Sequence, residues 1–286
     1  MNIIQTNNLS YSYDNEKMAL DKVSIKIKKG SVTAFIGGNG SGKSTLFLNL
    51  NGVLKPKSGE VYYYGKKITY SKAEQKELRK KIGIVFQDPN DQLFSEDVFS
   101  DITFGPLNLG MPEDKIKIVV DKIIEKLNIG HFKNKPIHAL SFGEKKRVAI
   151  AGVLAMEPEI LILDELTAGL DPSGVSDTLK LMLKLKNENN LTILLSTHDM
   201  DIVALYCDYV YVLNNGRVVL EGTFRNLVEK AKEIRMYSLR LPRLAHLMEI
   251  LTKKDKIPVD CTAATISEVR QCIKVLLQKT KFIRSE

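Results

Sequence analysis

Residues 37–45 read Gly-Gly-Asn-Gly-Ser-Gly-Lys-Ser-Thr. They fit G-x-x-x-x-G-K-[ST], with Gly37, Gly42, Lys43 and Ser44 at the fixed positions. Glycines let successive backbone N–H groups turn inward as a nest for phosphate oxygens. Gly38, Asn39, Gly40 and Ser41 complete the loop. Lys43 supplies a point charge for the outer phosphates, and the Ser44 hydroxyl stands where a Mg²⁺ ligand is wanted. Ser31 to Ile36 reads as a strand before the loop, and Thr45 to Leu50 as a helix after it. That order aims the positive end of the helix dipole at the phosphates. The stretch predicts a nucleotide-binding strand–loop–helix.

Outward from the loop, Ile3 to Leu9, Val23 to Ile27 and Glu60 to Tyr64 read as strands. Tyr13, at the close of the first, has two open roles: stacking on a base or packing at a strand end. Ser71-Lys-Ala-Glu74 predicts a capping box opening a charged helix to about Lys81. Ile82 to Phe86 is a buried-type strand ending in Gln87-Asp-Pro. A helical stretch, about Asp91 to Met156, then interrupts the strand–helix alternation. In it, Val98 to Phe104 is a helix limited by Pro106, and Pro112 starts a second. Ile116, Val119, Val120, Ile123, Ile124 and Leu127 fall on one helical face. Ser141-Phe-Gly-Glu144 is a capping box before a largely apolar helix.

Alternation resumes with the strand Ile160 to Leu163, followed by Asp164-Glu165. A helix from Pro172 to Asn187, a strand from Leu191 to Ser196, Thr197-His198-Asp199 and a short helix come next. Tyr209 to Leu213 and Arg217 to Leu220 form a hairpin turned by Asn214-Asn-Gly216. Strands alternating with helices imply a parallel sheet covered on both faces. The expected fold is α/β: a nucleotide-binding core with a largely parallel sheet, N-terminal antiparallel strands, a helical insert, and a small C-terminal helical module. The loop, Gln87, Asp164 and His198 all follow strand C-terminal ends, where open α/β sheets bind ligands. Asp164 suits a Mg²⁺ site, and Glu165 beside it can orient or deprotonate a water.

Composition bounds the rest. The chain has 286 residues and a formal charge of +8. From Thr223 onward, 14 Lys and Arg face 7 Asp and Glu. These charges are spread rather than clustered, as on a solvated helical face, and no nucleic-acid partner is expected. The longest apolar run, Val148 to Met156, is too short to span a bilayer, and the first residues lack the features of a signal peptide. A cytosolic chain, or one attached to a membrane through a partner, is expected. Cys207, Cys261 and Cys272 lack metal-type spacing and read as reduced thiols. His131, His138 and His246 form no ligand cluster. The tail carries a stripe of Leu244, Leu247, Met248 and Leu251. A capping box at Thr265-Ile-Ser-Glu268 precedes a second stripe of Ile266, Val269, Ile273 and Leu276. Packing on the core and pairing with a partner are both open roles for it.

Taken together, residues 1 to about 225 resemble the nucleotide-binding subunits of ATP-binding cassette (ABC) transporters. Leu140-Ser-Phe-Gly-Glu144 with its basic follow-on looks like the signature Leu-Ser-Gly-Gly-Gln of that family. By resemblance, Tyr13 stacks on adenine and residues 37–45 hold ATP. Ser44, Gln87 and Asp164 serve Mg²⁺; Glu165, His198 and Gln87 serve hydrolysis. Asp171, in Ala168-Gly-Leu-Asp171, is the dimer-contact position. Ser141, Phe142, Gly143 and Glu144 act in a partner's site. The resemblance therefore implies a head-to-tail dimer, either a homodimer or a heterodimer with a related subunit. Phe142 and Glu144 depart from the family's Gly and Gln, and Leu166 and Gly38 from its prolines. None of these removes a charged or ligating group, so an active ATPase is expected. The domain reading is a cassette over 1–225, with its helical subdomain at about 91–156, and a helical module over 226–286 for which subunit pairing is one of the two open roles.

Phe86-Gln-Asp-Pro-Asn-Asp-Gln-Leu-Phe94 and Asp101-Ile-Thr-Phe-Gly-Pro-Leu-Asn-Leu109 resemble the ATPases of energy-coupling factor importers, the group that includes cobalt and nickel importers. That group implies a transmembrane coupling protein, a substrate-binding membrane protein, and a peripheral position on the cytoplasmic face of the membrane. Cobalt is the leading substrate by resemblance. A soluble ABC ATPase acting on ribosomes or DNA is the competing expectation.

Overall fold

A computed structural model describes residues 1–14, 17–260 and 262–283; Cys261 of the sequence reading lies outside the described residues. The chain opens with β1 (Asn2–Tyr11) and β2 (Leu20–Lys28), then β3 (Val32–Ile36) and α1 (Lys43–Leu50). Next come β4 (Ser58–Tyr63), β5 (Lys66–Lys67), α2 (Lys72–Lys81) and β6 (Ile82–Val85). The helical insert holds α3 (Val98–Asn108), α4 (Glu113–Lys126) and α5 (Phe142–Leu154). After it follow β7 (Ile160–Leu163), α6 (Pro172–Asn189), β8 (Thr192–Ser196), α7 (Met200–Tyr206), β9 (Tyr209–Asn214) and β10 (Arg217–Gly222). The tail folds as α8 (Phe224–Glu229), α9 (Ala231–Met236), α10 (Arg243–Lys253) and α11 (Ile266–Ile283).

Two sheets result. One is antiparallel, in the order β2-β1-β4-β5; the other runs β10-β9-β3-β8-β7-β6 and is parallel except for edge strand β10. Burial follows from this. Every residue of β3, β7 and β8 is buried, as expected of parallel strands covered on both faces. In β2, Val23, Ile25 and Ile27 are buried and their neighbours are not, the period-2 pattern of a one-sided sheet. Parallel register brings the strand ends together: Phe35 pairs with Ser196, Leu163 with Leu195, and Val85 with Leu163. Gly37, Gln87, Asp164 and Thr197 therefore leave the sheet along one edge.

In the insert, Ile116, Val120, Ile123, Ile124 and Leu127 of the predicted α4 face are buried against Val98, Ile102, Val148 and Ala151, with Val119 partly buried. Leu161, Leu163 and Leu195 of the sheet belong to the same core. Pro106 does not limit α3, which runs two residues beyond it. A proline in a last turn removes a single helical donor, and the helix still closes with Leu109 N donating to Gly105 O at 3.1 Å. The chain then turns at Gly110, whose φ is +75°.

Two of the three predicted capping boxes are reciprocal. Ser141 N donates to Glu144 Oε2 at 2.8 Å, and Glu144 N donates to Ser141 Oγ. Thr265 and Glu268 do the same at 3.1 and 3.2 Å. At Ser71 the box is half made: Ser71 Oγ accepts from Glu74 N, but the Glu74 carboxylate takes Thr69 N at 2.7 Å instead.

The tail splits in a way that the stripes do not predict. Helices α8 and α9 put Phe224, Leu227, Val228, Ala231 and Ile234 into one core with Ala34, Ile36, Val203 and Val212. Beyond them, Met248, Ala263 and Val269 form a smaller cluster joining α10 to α11. Of the second stripe, Val269 is buried while Ile266 is 78% and Ile273 44% exposed. Cys207 and Cys272 are free thiols, and burial pushes the Cys207 pKa up to about 12. No helix among the described residues is long and apolar enough to cross a membrane.

Candidate functional site

The loop after β3 is shaped by two glycines that nothing larger could replace. A Cβ at Gly37 would lie 2.2 Å from Leu213 O, and one at Gly42 2.6 Å from Ala19 O. Gly42 has φ +105° and caps α1, so its left-handed backbone turns the loop into the helix. Gly38 and Gly40 face open space instead. Lys43, 6% exposed, folds back across the loop and donates to Gly37 O at 2.9 Å and Gly38 O at 3.2 Å. Its Nζ also lies 3.8 Å from Glu165 Oε1. The lysine thus joins the loop to the end of β7 before any ligand is considered.

Two cavities open at this edge and share Ser44 and Gln87 as walls. One, of about 370 Å³, is lined by Tyr13, residues 39–45 and Glu165. Tyr13 is 65% exposed, its ring at 86° to that of Tyr11 and its hydroxyl 3.1 Å from Thr45 Oγ1. The other cavity, of about 420 Å³, adds Asp164, Asp88, Phe142 and Gly169. A hydroxyl, an amide oxygen and a carboxylate from Ser44, Gln87 and Asp164 are hard oxygen donors, the set that suits Mg²⁺.

Behind the carboxylates lies a relay that the sequence reading did not find. Ser196 Oγ, at the end of β8, donates to Asp164 Oδ1 at 2.5 Å and accepts from Glu165 N at 2.7 Å. One buried hydroxyl therefore orients both acids. Glu165 has φ +45°, a left-handed conformation unusual for a side chain of its size. Lys146 is the second residue missed. It is 2% exposed, and its Nζ donates to Leu166 O and to Ala168 O, 5.1 Å above the Phe142 ring centre. Burial lowers its pKa to about 8, against the opposing pull of Asp88 and Glu165. The only signal in the sequence was its spacing of four from Phe142, which puts both on one helix face.

Ser141, Gly143 and Glu144 sit at the head of α5 outside both cavity linings, while Phe142 alone lines the second. The Glu144 carboxylate points back at its cap, and the bond from Ser141 N holds it below the usual carboxylate range. Asp171 caps α6 by accepting from Gly174 N at 2.6 Å. His198 follows β8, is exposed, and lines neither cavity.

Residues 20–168 match the family described as ABC transporter. The energy-coupling factor transporter ATP-binding protein EcfA2 of Clostridium perfringens (strain SM101 / Type A) is 51% identical over 271 residues, 95% of each chain. EcfA of Methanocaldococcus jannaschii is 48% identical over 273 residues, covering 96% of this chain and 97% of its own. Among solved structures, cbiO1 of Clostridium perfringens, part of the ABC transporter complex cbiONQ, shares 52% identity at a TM-score of 0.75, over 87% of this chain and 99% of that one. A phosphate loop facing two acids held by one serine, in a chain alike to these relatives almost from end to end, leads to one conclusion: the chain belongs to the ABC transporter family, as an ATP-hydrolysing subunit of the energy-coupling factor type.

Proposed function

We propose that this subunit powers import of a small substrate, cobalt first among the candidates, through separate membrane proteins. The observation that carries the catalytic part is the meeting of Lys43, Ser44, Gln87, Asp164 and Glu165 around two adjoining cavities. In this reading Tyr13 stacks on adenine, and residues 37–45 hold the phosphates. Mg²⁺, bound by Ser44, Gln87 and Asp164, would neutralise charge developing on the phosphates. Glu165 orients the attacking water, with Lys43 3.8 Å away to balance its charge. His198 contributes from the exposed turn after β8 once nucleotide is bound.

Ser141 to Glu144 and Asp171 serve the site of a second subunit, which explains why they line so little of this one. A homodimer, or a heterodimer with a related ATPase, completes two such sites. We further infer a division at about residue 225, with the cassette before it and the helices after it assisting pairing. The subunit works at the cytoplasmic face of the membrane with a transmembrane coupling protein and a substrate-binding membrane protein.

The substrate reading rests on the resemblance of residues 86–94 and 101–109 to the ATPases of energy-coupling factor importers, the group that includes cobalt and nickel importers, and on the likeness to cbiO1. Its test is uptake by proteoliposomes holding the complete transporter, with Mg–ATP on the side of the ATPases. ATP-dependent accumulation of cobalt supports it. A complex that takes up a vitamin but not cobalt contradicts it.

A further inference from the structure

Lys146 is a buried cation whose hydrogen bonds run to the backbone carbonyls of Leu166 and Ala168 rather than to a carboxylate. It lies on α5, five residues beyond Ser141. Its ammonium bridges Leu166 O and Ala168 O, within the Glu165–Asp171 stretch of the connection from β7 to α6. An ammonium has three donors and no acceptor, so two carbonyls and an aromatic face are suitable company. A lysine is rarely buried unless such partners hold it.

The connection that Lys146 grips is bent in two places. Glu165 has φ +45° and Gly169 has φ +75°. Such conformations persist where surrounding contacts over-determine them. Ser196 holds Glu165 N from the sheet side, and Lys146 holds the next carbonyl from the α5 side. Phe142 closes the contact: a Cβ at Gly169 would stand 2.8 Å from Phe142 Cε1, so the ring lies flush against the glycine. Two departures from the family pattern, Phe142 and Leu166, therefore meet at this one lysine.

We propose that Lys146 is a positioning residue for hydrolysis, clamping the Glu165–Asp171 connection to the head of the helix that carries Ser141 to Glu144. The inference rests on the roles proposed above for Glu165 and Ser141. Glu165 acts in the subunit's own nucleotide site and Ser141 in its partner's. A clamp between them makes any shift of α5, as the partner's site closes, a shift of Glu165 as well.

The test compares full-length K146M, K146Q and K146R with the wild type for ATP turnover, ATP affinity and melting temperature. K146M is expected to lower kcat by about tenfold to a hundredfold, the scale of a small misplacement of a catalytic group. The KM for ATP should stay within about twofold, because the interaction matters to the transition state rather than to binding. K146R, whose guanidinium can donate to both carbonyls, should recover most of the lost kcat, and K146Q only part. Should K146M not fold, the difference between K146Q and K146R carries the comparison. Unchanged kcat in folded K146M or K146Q overturns the clamp. So does a parallel fall of kcat, ATP affinity and melting temperature that K146R fails to rescue. E165Q measured alongside separates the two claims: turnover retained there defeats the role of Glu165 itself, whereas a dead E165Q beside a fully active K146M defeats only the clamp.

Discussion

Gln92 donates its side-chain amide to the carbonyl of Ala149 at 3.1 Å, and its side-chain oxygen accepts from Phe86 N at 3.0 Å. One side chain thus bolts the end of β6, where Gln87 sits, to the middle of α5. Lys145 Nζ adds a second bolt to Asn90 Oδ1 at 2.8 Å. Two side-chain links therefore tie the segment around Gln87 to α5. Gln92→Leu removes both hydrogen bonds of the side chain and should cost about 1–3 kcal/mol in denaturant unfolding. Hydrolysis should fall while ATP affinity holds. Wild-type turnover in this variant would mean that the two elements need no such link.

Leu93 and Phe94 are neighbours with opposite fates. Leu93 is 8% exposed within the core of the insert, whereas Phe94 is 65% exposed, its ring 4.5 Å from that of Phe104. Leu93→Asp should cost several kcal/mol, about 3 or more, as an unpaired buried charge. Phe94→Asp should leave the melting temperature and the isolated subunit's ATPase nearly unchanged and impair assembly with the membrane proteins. Normal assembly of Phe94→Asp removes this aromatic pair from the docking surface.

Glu249 joins α9 to α10. The Arg235 guanidinium beside it, with Lys253 Nζ at 2.9 Å, holds its pKa down to about 2. A carboxyl depressed in the folded state stabilises fully above its unfolded value and loses that contribution as pH falls through the folded one. The wild type should therefore be more heat-stable than Glu249→Gln at pH 7, and the gap should close between about pH 4.5 and pH 2. Equal melting curves at neutral pH would show that the partly exposed ion pairs add nothing.

Head-to-tail pairing predicts complementation. Lys43→Ala damages the site of its own subunit, and Ser141→Arg that of the partner. Mixing the two inactive variants should rebuild one intact site in each mixed dimer, giving roughly half the wild-type activity per mixed dimer. Activity in the mixture no higher than in either variant alone, with mixed dimers verified by differential tagging, contradicts shared sites.

The legible parts of the chain are those where local sterics dictate residue type. Gly37 and Gly42 were readable because a Cβ at either position collides with backbone oxygen. The parallel sheet was readable because β3, β7 and β8 are buried on both faces and so are apolar throughout. Lys146 was not, because Lys145-Lys-Arg147 looks like a solvated run, and only the fold reveals that its middle member turns inward. Ser196 looked like any strand-end serine until β8 lay beside β7. Helices α8 and α9 are six residues each, too short for periodicity to register, and tertiary packing rather than propensity holds them.

The central claim is that Glu165 handles the water while Lys43, Ser44 and Asp164 handle the nucleotide and its metal. Purified Glu165→Gln, assayed for Mg–ATP hydrolysis and for ATP binding in the same preparation, tests it most directly. The account predicts turnover lowered by about a hundredfold or more, ATP bound as tightly as by the wild type, and a dimer that persists in ATP. Turnover near the wild-type rate would contradict it.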